Sequence, residues 1–206
     1  EFGSSVIDGE YCICRGDAVL VKSSELKVKG LHNLANVMAA LALVELAGVN
    51  SADVIPCLKS FTGLEHRCQW LGERDGVAFY NDSKGTNVAS TLAAIDGLGA
   101  ATEGNILLLA GGVGKGQDFS PLASSCGQYA GALFAYGEDK QQIADAVAGQ
   151  CEVSLYANMD EAFRAACDSA KPGDAVLLSP ACASFDQFKN YAERGQHFCR
   201  LVEAVL

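Results

Sequence analysis

A glycine-rich turn with a single lysine follows an apolar run in the sequence LLLAGGVGKGQD at residues 107–118. A nucleotide phosphate loop needs the pattern G-x-x-x-x-G-K-[ST], because its backbone N–H groups surround the phosphates and its hydroxyl reaches Mg²⁺. Aligning Gly114 and Lys115 on that pattern places Leu109 at the first glycine and Gly116 at the hydroxyl. The turn is therefore not predicted to be a phosphate loop. Two interpretations stay open, an ordinary turn with a surface lysine or a turn that presents Lys115 to an anion.

A dense group of polar residues follows another apolar run, at 76–80. The segment 81–87 has the sequence NDSKGTN, which supplies an acid, a base, hydroxyls and amides just before a helix predicted to begin near Val88. Free N–H groups at a helix N-terminus attract anions, so this segment is a candidate ligand site. The alternative is that Asn87 caps the helix and the other residues form a solvated loop.

Small residues followed by aromatic ones form a third candidate segment. After the apolar run 174–178 the sequence continues SPACASFDQFKNY, in which small side chains leave room for a ligand and Ser184 either caps a helix or binds. Phe185, Phe188 and Tyr191 have the spacing i, i+3, i+6, which is more typical of a helix core than of a ligand-binding aromatic set.

Two features nearer the N-terminus could serve a nucleotide. Asn33 and Asn36 fall on one side of the start of a predicted helix, where an amide can pair with a purine edge or, alternatively, cap the helix and sit in the core. His66 and Arg67 follow a predicted hinge, where a guanidinium could bind phosphate or form a surface ion pair. We interpret His32 and His66 as structural, because no partner His, Cys or acidic residue stands at metal-ligand spacing.

The elements that must position these residues follow a regular order in the second part of the chain. Apolar runs near 76–81, 105–110, 131–136, 152–156 and 174–178 are predicted strands, and each is followed by a helix-like stretch. The helix after 105–110 is predicted to start with Ser120 as its cap and Pro121 as its first residue. This alternation predicts right-handed βαβ crossovers and an α/β fold, a Rossmann-like, doubly wound and mostly parallel sheet. Ligands bind at the carboxyl ends of such strands, which is where the three candidate segments fall.

The first part of the chain has a different pattern. Residues 11–14 and 18–21 predict a β-hairpin, and 33–47 predicts a helix that is apolar nearly all round, expected to be buried, and closed by Gly48. Ser51 is predicted to cap a second helix that ends near Ser60. A hinge at 62–65 then divides the chain into domains at 1–62 and 63–206. Because no initiating Met is present, we expect the chain to be a segment of a longer protein.

Composition excludes several classes of function. The formal charge is −10, from 15 basic and 25 acidic residues, which argues against nucleic acid as a partner. No apolar run approaches the roughly 18 residues of a membrane-spanning helix, so membrane insertion is not expected. The nine cysteines are scattered without a CxxC pair, which favours free thiols in a reducing cytoplasm over a zinc site or disulfides.

Taken together, these motifs resemble the Mur ligase family in order and spacing. The strings that carry the resemblance are GLHNLANVMAALAL, FTGLEHRCQWL, FYNDSKGTNVASTLAAI, LLLAGGVGKGQDFSPL and LLSPACASFDQFKNYAERGQHFCRLV, which cover essentially the whole chain. The resemblance implies a bacterial ligase of peptidoglycan synthesis that joins D-glutamate to UDP-N-acetylmuramoyl-L-alanine. It implies ATP and Mg²⁺ as cofactors and an acyl phosphate as the activated form.

The resemblance also implies a domain assignment. Residues 1–62 correspond to the end of the central ATPase domain, and 63–206 to the Rossmann-like C-terminal domain that binds the incoming amino acid. The family's GTNGK[ST] phosphate loop, its Mg²⁺-binding glutamate and histidine and its carbamylated lysine have no counterpart in this sequence. We therefore expect the chain to be inactive by itself, with no metal ligand of its own.

Roles for individual residues follow from the resemblance alone. On the ATP side, Asn36 corresponds to an adenine contact, Arg67 to a phosphate contact and Asp82 to a ribose contact. On the acceptor side, the matching residues are Lys84, Thr86, Lys115, Ser184, Phe185 and Tyr191. Within that set Lys115, Ser184 and Phe185 correspond to the residues that hold the D-glutamate side-chain carboxylate. The sequence departs from the family at Tyr191, where Phe is familiar, and at Val113, where Asp often stands.

Two alternatives remain at the level of sequence. One is a sister ligase of the same superfamily that adds another amino acid, or adds glutamate to a folate. The other is a non-catalytic α/β module that binds a ligand without the chemistry.

Overall fold

The computed structural model describes residues 2–28 and 30–206, without the side chains of residues 31 and 32. The chain divides into two compact units, Glu1–Gly63 and Leu64–Leu206. The fold class predicted from sequence is confirmed, because the second unit is a mostly parallel sheet covered by helices. Among the described residues, no helix has both the length and the apolar character needed to cross a membrane.

The first unit is a small antiparallel sheet with two helices. Its strands are β1 (Phe2–Ile7), β2 (Glu10–Arg15) and β3 (Ala18–Lys22), in that order across the sheet. A short 3₁₀ turn follows, and then α1 (Leu31–Leu46) and α2 (Ser51–Ser60). The predicted hairpin is the β2–β3 pair, to which β1 adds a strand that the sequence analysis did not predict.

Two expectations for the helices of the first unit were wrong. Of the α1 side chains that the structure describes, those at 33–46, only the stripe at Leu34, Val37 and Leu41 is buried, while Leu46 is 85% exposed. Apolar residues on every side do not specify which side a neighbouring layer covers. The cap of α2 is Asn50, whose side chain accepts a hydrogen bond from the Ala52 N–H, whereas the Ser51 hydroxyl donates to Glu45.

The second unit contains a six-stranded sheet. Its strands are β4 (Gln69–Arg74), β5 (Val77–Asn81), β6 (Ile106–Gly111), β7 (Ala130–Tyr136), β8 (Glu152–Leu155) and β9 (Ala175–Leu178). The order across the sheet is β4-β5-β9-β6-β7-β8, and only the β4–β5 pair is antiparallel. All five predicted strands are present. The edge strand β4 was not predicted, because its residues are largely exposed and lack an apolar run.

Helices cover both faces of this sheet, as in a doubly wound fold. They are α3 (Val88–Gly99), α4 (Leu122–Tyr129), α5 (Lys140–Ala146), α6 (Met159–Ser169) and α7 (Tyr191–Glu203). The central strand β6 is buried along its whole length, and its side chains alternate between the two cores. Leu108 contributes to the core under α3, α4 and α5, and Leu109 to the core under α6 and α7.

Two predicted helix starts differ from the structure. Ser120 does not cap α4, because its hydroxyl and its N–H both bond to the Asp118 carboxylate, and the helix begins at Leu122. The last helix begins at Tyr191 with Asn190 as its cap, so Ser184 does not cap it. Phe185 therefore lies in a turn and is 65% exposed, which contradicts its interpretation as a helix-core residue.

Candidate functional site

The sheet order brings the three candidate segments together. Strand β9 lies between β5 and β6, and all three run parallel. Their carboxyl ends therefore meet at one edge of the sheet, where the segments 81–87, 111–118 and 179–191 leave the strands. This edge, which we call the carboxyl edge, is the place where open parallel sheets bind ligands.

The loops after β6 and β9 are joined by backbone hydrogen bonds. Val113 and Ala183 exchange two N–H···O bonds of 2.9 Å, and the Gly111 N–H donates to the Pro180 carbonyl at 2.9 Å. Lys115 and Ser184 therefore stand on two loops that are hydrogen-bonded to each other. Gln117 adds to the connection, because its side-chain amide donates to the Ala181 carbonyl at 2.7 Å.

Two lysine ammonium groups lie over aromatic rings at this edge. Lys115 Nζ lies 5.6 Å from the centre of the Phe185 ring, and Lys84 Nζ lies 4.0 Å from that of Tyr191. Cation–π contacts of this kind are weaker than a desolvated ion pair and leave ammonium donors available. Among residues 2–28 and 30–206, no carboxylate comes within 4.0 Å of either ammonium group. Both lysines are therefore available to an anionic ligand.

Lys115 stands in an unusual backbone conformation. Its φ is 57°, in the left-handed region that a residue with a Cβ seldom adopts. Strain of this kind is commonly found at binding and catalytic sites. Here it accompanies the projection of an exposed lysine from the glycine-rich turn.

Ser184 has a buried hydroxyl without a partner. Its exposed fraction is 2%, and Oγ forms no hydrogen bond with any described residue. Its carbonyl oxygen, by contrast, accepts from the N–H groups of Gln187 and Phe188. An unsatisfied buried hydroxyl costs about 1–3 kcal/mol, so a group that bonds to Ser184 Oγ from outside the chain would be favoured.

Lys84 and Thr86 are held in the loop after β5. The Lys84 N–H donates to the His66 carbonyl at 3.0 Å, and the Thr86 N–H donates to the Lys84 carbonyl at 2.8 Å. Both side chains are half-buried. The structure thus places the residues predicted for the acceptor side at the carboxyl edge, on the loops after β5, β6 and β9 and, for Tyr191, at the first position of α7.

His66 has a structural role, as the sequence analysis expected. It is 5% exposed, and its Nδ1 lies 3.0 Å from the side-chain amide nitrogen of Asn81. That amide also donates to the Gly195 carbonyl at 3.0 Å. Burial lowers the pKa of His66 below its ordinary value. The imidazole therefore links the start of the second unit to β5 and α7.

Asp82 is a buried carboxylate with partners on both oxygens. Oδ1 accepts from the Cys68 N–H at 3.1 Å, and Oδ2 accepts from the Ser179 hydroxyl at 2.7 Å. The Ser179 Oγ in turn lies 3.0 Å from Thr91 Oγ1. Burial raises the pKa of Asp82 to about 6, although these hydrogen bonds and the nearby Arg67 and Arg194 favour the charged form.

The raised pKa of Asp82 predicts a pH-dependent stability. The folded chain keeps a proton that the unfolded chain releases, so the contribution of Asp82 to the free energy of unfolding falls between about pH 4 and pH 6 and is then constant. The expected loss is about 3 kcal/mol, from a shift of about two pKa units. In urea unfolding at pH 4, 5, 6 and 7, the free energy of unfolding of the wild type minus that of Asp82→Asn should fall by this amount as the pH rises.

Asp168→Asn, which removes an exposed carboxylate from α6, is the control for the loss of one negative charge. If Asp82→Asn and Asp168→Asn followed the same pH course, Asp82 would not be the group that titrates in this window.

The residues predicted for ATP are not all in one unit. Arg67 is exposed beside Asp82 in the second unit and forms no ion pair within residues 2–28 and 30–206. Asn36 belongs to α1 in the first unit, where it is exposed and its side-chain nitrogen lies 3.4 Å from Asn33 Oδ1. A free guanidinium fits a phosphate, and the buried Asp82 keeps little surface for a ribose.

The sequence analysis did not identify three residues whose side chains bond to the loops of the carboxyl edge. Arg194 is fully buried and bonds to three loops, Gln117 bridges two of them, and Asp139 Oδ2 accepts from the Gly114 N–H at 2.6 Å. The sequence does indicate that Arg194 is buried, because it lies four residues before Phe198 and eight before Val202, on the apolar face of α7. Within the described part of the chain, no group of three His, Cys, Asp or Glu side chains is arranged to hold a metal ion.

Comparison with known proteins gives a consistent match. The family description "Mur ligase, glutamate ligase domain" fits residues 66–182. The UDP-N-acetylmuramoylalanine–D-glutamate ligase of Hahella chejuensis is 46% identical over 198 residues, which cover 96% of this chain and 44% of that protein. The enzyme of the same name from Acinetobacter baylyi is 48% identical over 202 residues, or 97% of this chain and 45% of that protein. The chain thus spans less than half the length of these curated relatives.

Solved structures agree on the fold. The MurF ligase of Thermotoga maritima in complex with ADP matches 99% of this chain and 46% of its own, with a TM-score of 0.64 and 16% identity. A folylpolyglutamate synthase/dihydrofolate synthase from Yersinia pestis, complexed with AMPPNP and Mn, matches 98% of this chain and 46% of its own, with a TM-score of 0.68 and 15% identity. At these identities the likeness concerns the fold alone.

Proposed function

The chain belongs to the Mur ligase family, and from that premise we propose that it is the C-terminal portion of the ATP-dependent ligase that joins D-glutamate to UDP-N-acetylmuramoyl-L-alanine. The observation that carries the proposal is the grouping of Lys115, Lys84 and Ser184 at the carboxyl edge, where, among the described residues, the two ammonium groups have no carboxylate partner and the buried hydroxyl has no hydrogen-bond partner. A small dicarboxylate supplies the acceptors that all three groups lack. Because the chain carries a formal charge of −10, an anionic ligand needs cations close to its site, and the two lysines supply them.

Within this proposal the acceptor-side residues bind and orient D-glutamate. Lys115 and Ser184, held together by the Val113–Ala183 bonds, bind the side-chain carboxylate, with Phe185 beside them. Lys84 and Thr86 bind from the loop after β5, and Tyr191 supports Lys84 through its ring. These contacts fix the direction of the amine, and such positioning is a large part of the catalysis of a two-substrate reaction.

ATP supplies the activation of the substrate carboxylate as an acyl phosphate. On this chain Arg67 would bind phosphate oxygens, Asp82 a ribose hydroxyl and Asn36 the adenine edge. Arg67 fits its role because its guanidinium is exposed and unpaired among the described residues. The described residues offer no cluster for Mg²⁺, so we assign that ion to the remainder of the intact ligase and propose that the chain alone does not catalyse the reaction.

We further propose the bacterial cytoplasm as the compartment. All nine cysteines are unpaired, and four of them, at 12, 14, 126 and 182, are buried. Free thiols in that number fit a reducing compartment.

A titration with D-glutamate tests the proposed function on the chain as it stands. We expect the backbone amide resonances of Lys115 and Ser184 to shift saturably, together with that of Lys84, while amides of the edge strand β8 do not move. L-glutamate and D-alanine serve as matched ligands that change the stereochemistry or remove the side-chain carboxylate, and both should bind at least about tenfold more weakly.

Equal binding of D- and L-glutamate would favour a sister ligase of different specificity. No shift at Lys115 or Ser184 at millimolar D-glutamate would contradict the proposed site.

A further inference from the structure

Arg194 is the largest fully buried side chain of the described residues. It lies in the first turn of α7, and its guanidinium donates only to uncharged groups. Nε donates to Ser83 Oγ at 3.0 Å, Nη2 to the Ser83 and Cys182 carbonyls at 2.9 and 3.1 Å, and Nη1 to the Gly111 carbonyl at 3.5 Å. Of the residues 2–28 and 30–206, none places a carboxylate within 4.0 Å of it.

Burying a charge without a counter-ion lowers the stability of a core rather than raising it. Desolvation of a guanidinium is costly, and a well-packed apolar side chain of similar volume is often as good for stability or better. What the guanidinium adds is geometry, since its donors lie in one rigid plane and point in fixed directions. The contacts of Arg194 use that property, because they reach carbonyl groups on separate loops.

Those carbonyl groups belong to the three loops of the carboxyl edge. Ser83 follows β5 and directly precedes Lys84. Gly111 ends β6 and begins the turn that leads to Lys115. Cys182 follows β9 and lies two residues before Ser184. A single side chain thus bonds to the backbone just ahead of each cation or hydroxyl assigned to the amino-acid ligand.

We propose that Arg194 is a positioning residue that fixes the three loops of the carboxyl edge relative to one another, so that Lys84, Lys115 and Ser184 are preorganised for a dicarboxylate. The identity of the ligand in this inference rests on the proposed function. The ordering of the loops by Arg194 does not. Arg194 acts through the backbone and makes no contact with the reacting atoms.

The test compares Arg194→Lys and Arg194→Met with Arg200→Met, which removes an exposed arginine from the same helix. Hydrogen exchange in the absence of ligand reports on the loops through the Val113 and Ala183 amides, whose bonds join them. We expect protection at these two amides to fall at least about tenfold more than protection in β6 and β9. The lysine variant keeps the charge but not the planar set of donors, so it should lose loop protection as well.

Affinity for D-glutamate is the second measurement, taken on the folded fraction of each variant. We expect it to fall at least about tenfold in Arg194→Met and to stay unchanged in Arg200→Met. If the wild type does not bind D-glutamate, the proposed function fails, while the exchange experiment still decides the role of Arg194.

Two results would overturn the proposal. Folded Arg194 variants with unchanged protection at Val113 and Ala183 would show that the loops do not depend on the guanidinium. Global unfolding of both variants, under conditions where Arg200→Met is folded, would show that Arg194 holds the whole unit and not the three loops in particular.

Discussion

Replacing Gly111 with alanine will lower the free energy of unfolding of the second unit by about 3–5 kcal/mol, which combines the cost of overpacking with that of backbone strain. The φ of Gly111 is 151°, and a Cβ built there would lie 1.9 Å from the Tyr136 carbonyl oxygen. That oxygen belongs to the neighbouring strand β7, so it cannot move away as a flexible side chain would. Urea unfolding followed by far-ultraviolet circular dichroism measures the loss.

Gly149→Ala is the matched control for Gly111→Ala. Gly149 also has a positive φ, of 79°, but nothing lies within 4 Å of the position of its Cβ. The control should therefore show only the strain of the backbone, about 1 kcal/mol. Equal losses in the two variants would mean that contact with β7 is relieved without cost, contrary to the prediction.

Lys115→Ala should raise the KM for D-glutamate of the intact ligase by a factor of about 10–10². A hydrogen bond to a charged group contributes about 1.5–3 kcal/mol, and Lys115 has no carboxylate partner among the described residues to bind instead. We expect kcat to change far less, because the side-chain carboxylate is remote from the attacking amine and is bound equally before and during the reaction.

Lys189→Ala is the control for Lys115→Ala, because it removes the same charge from an exposed position on the loop between β9 and α7. Steady-state kinetics with D-glutamate and with ATP as the varied substrate separate the two sites. The KM for ATP should be unchanged in both variants. An unchanged KM for D-glutamate in Lys115→Ala would remove Lys115 from the proposed site.

The strands and the location of the site could be predicted from sequence for one physical reason. A parallel strand covered on both faces must be apolar along its length, so β6 and β9 appear as apolar runs, and polar residues mark their ends. The sheet order then brings those ends together. The contacts of Lys84 with Tyr191 and of Lys115 with Phe185 depend on where α7 begins, which local sequence did not reveal.

Other features could not be predicted. They depend on which of several competing hydrogen bonds a side chain forms, or on residues that are distant in the sequence. Asn50 and Ser51 are both good caps, and Ser51 instead bonds to Glu45. The Ser120 hydroxyl donates to the Asp118 carboxylate and so does not cap α4. The spacing of Arg194 places it on the apolar face of α7, but the carbonyl groups of Ser83 and Gly111 that accept from its guanidinium lie more than 80 residues away in the sequence, so its partners could not be predicted.

The central position of β9 also sets the order in which the protein can be assembled. It is the last of the six strands in chain order, yet it fills the gap between β5 and β6, which do not pair with each other. Until it inserts, both neighbours expose unpaired backbone edges, a state prone to association with other chains. The loops that bear Lys84 and Lys115 come together only at that step. The carboxyl edge is therefore completed in one late step, and a nascent chain that ends before residue 178 has neither a continuous sheet nor the assembled candidate site.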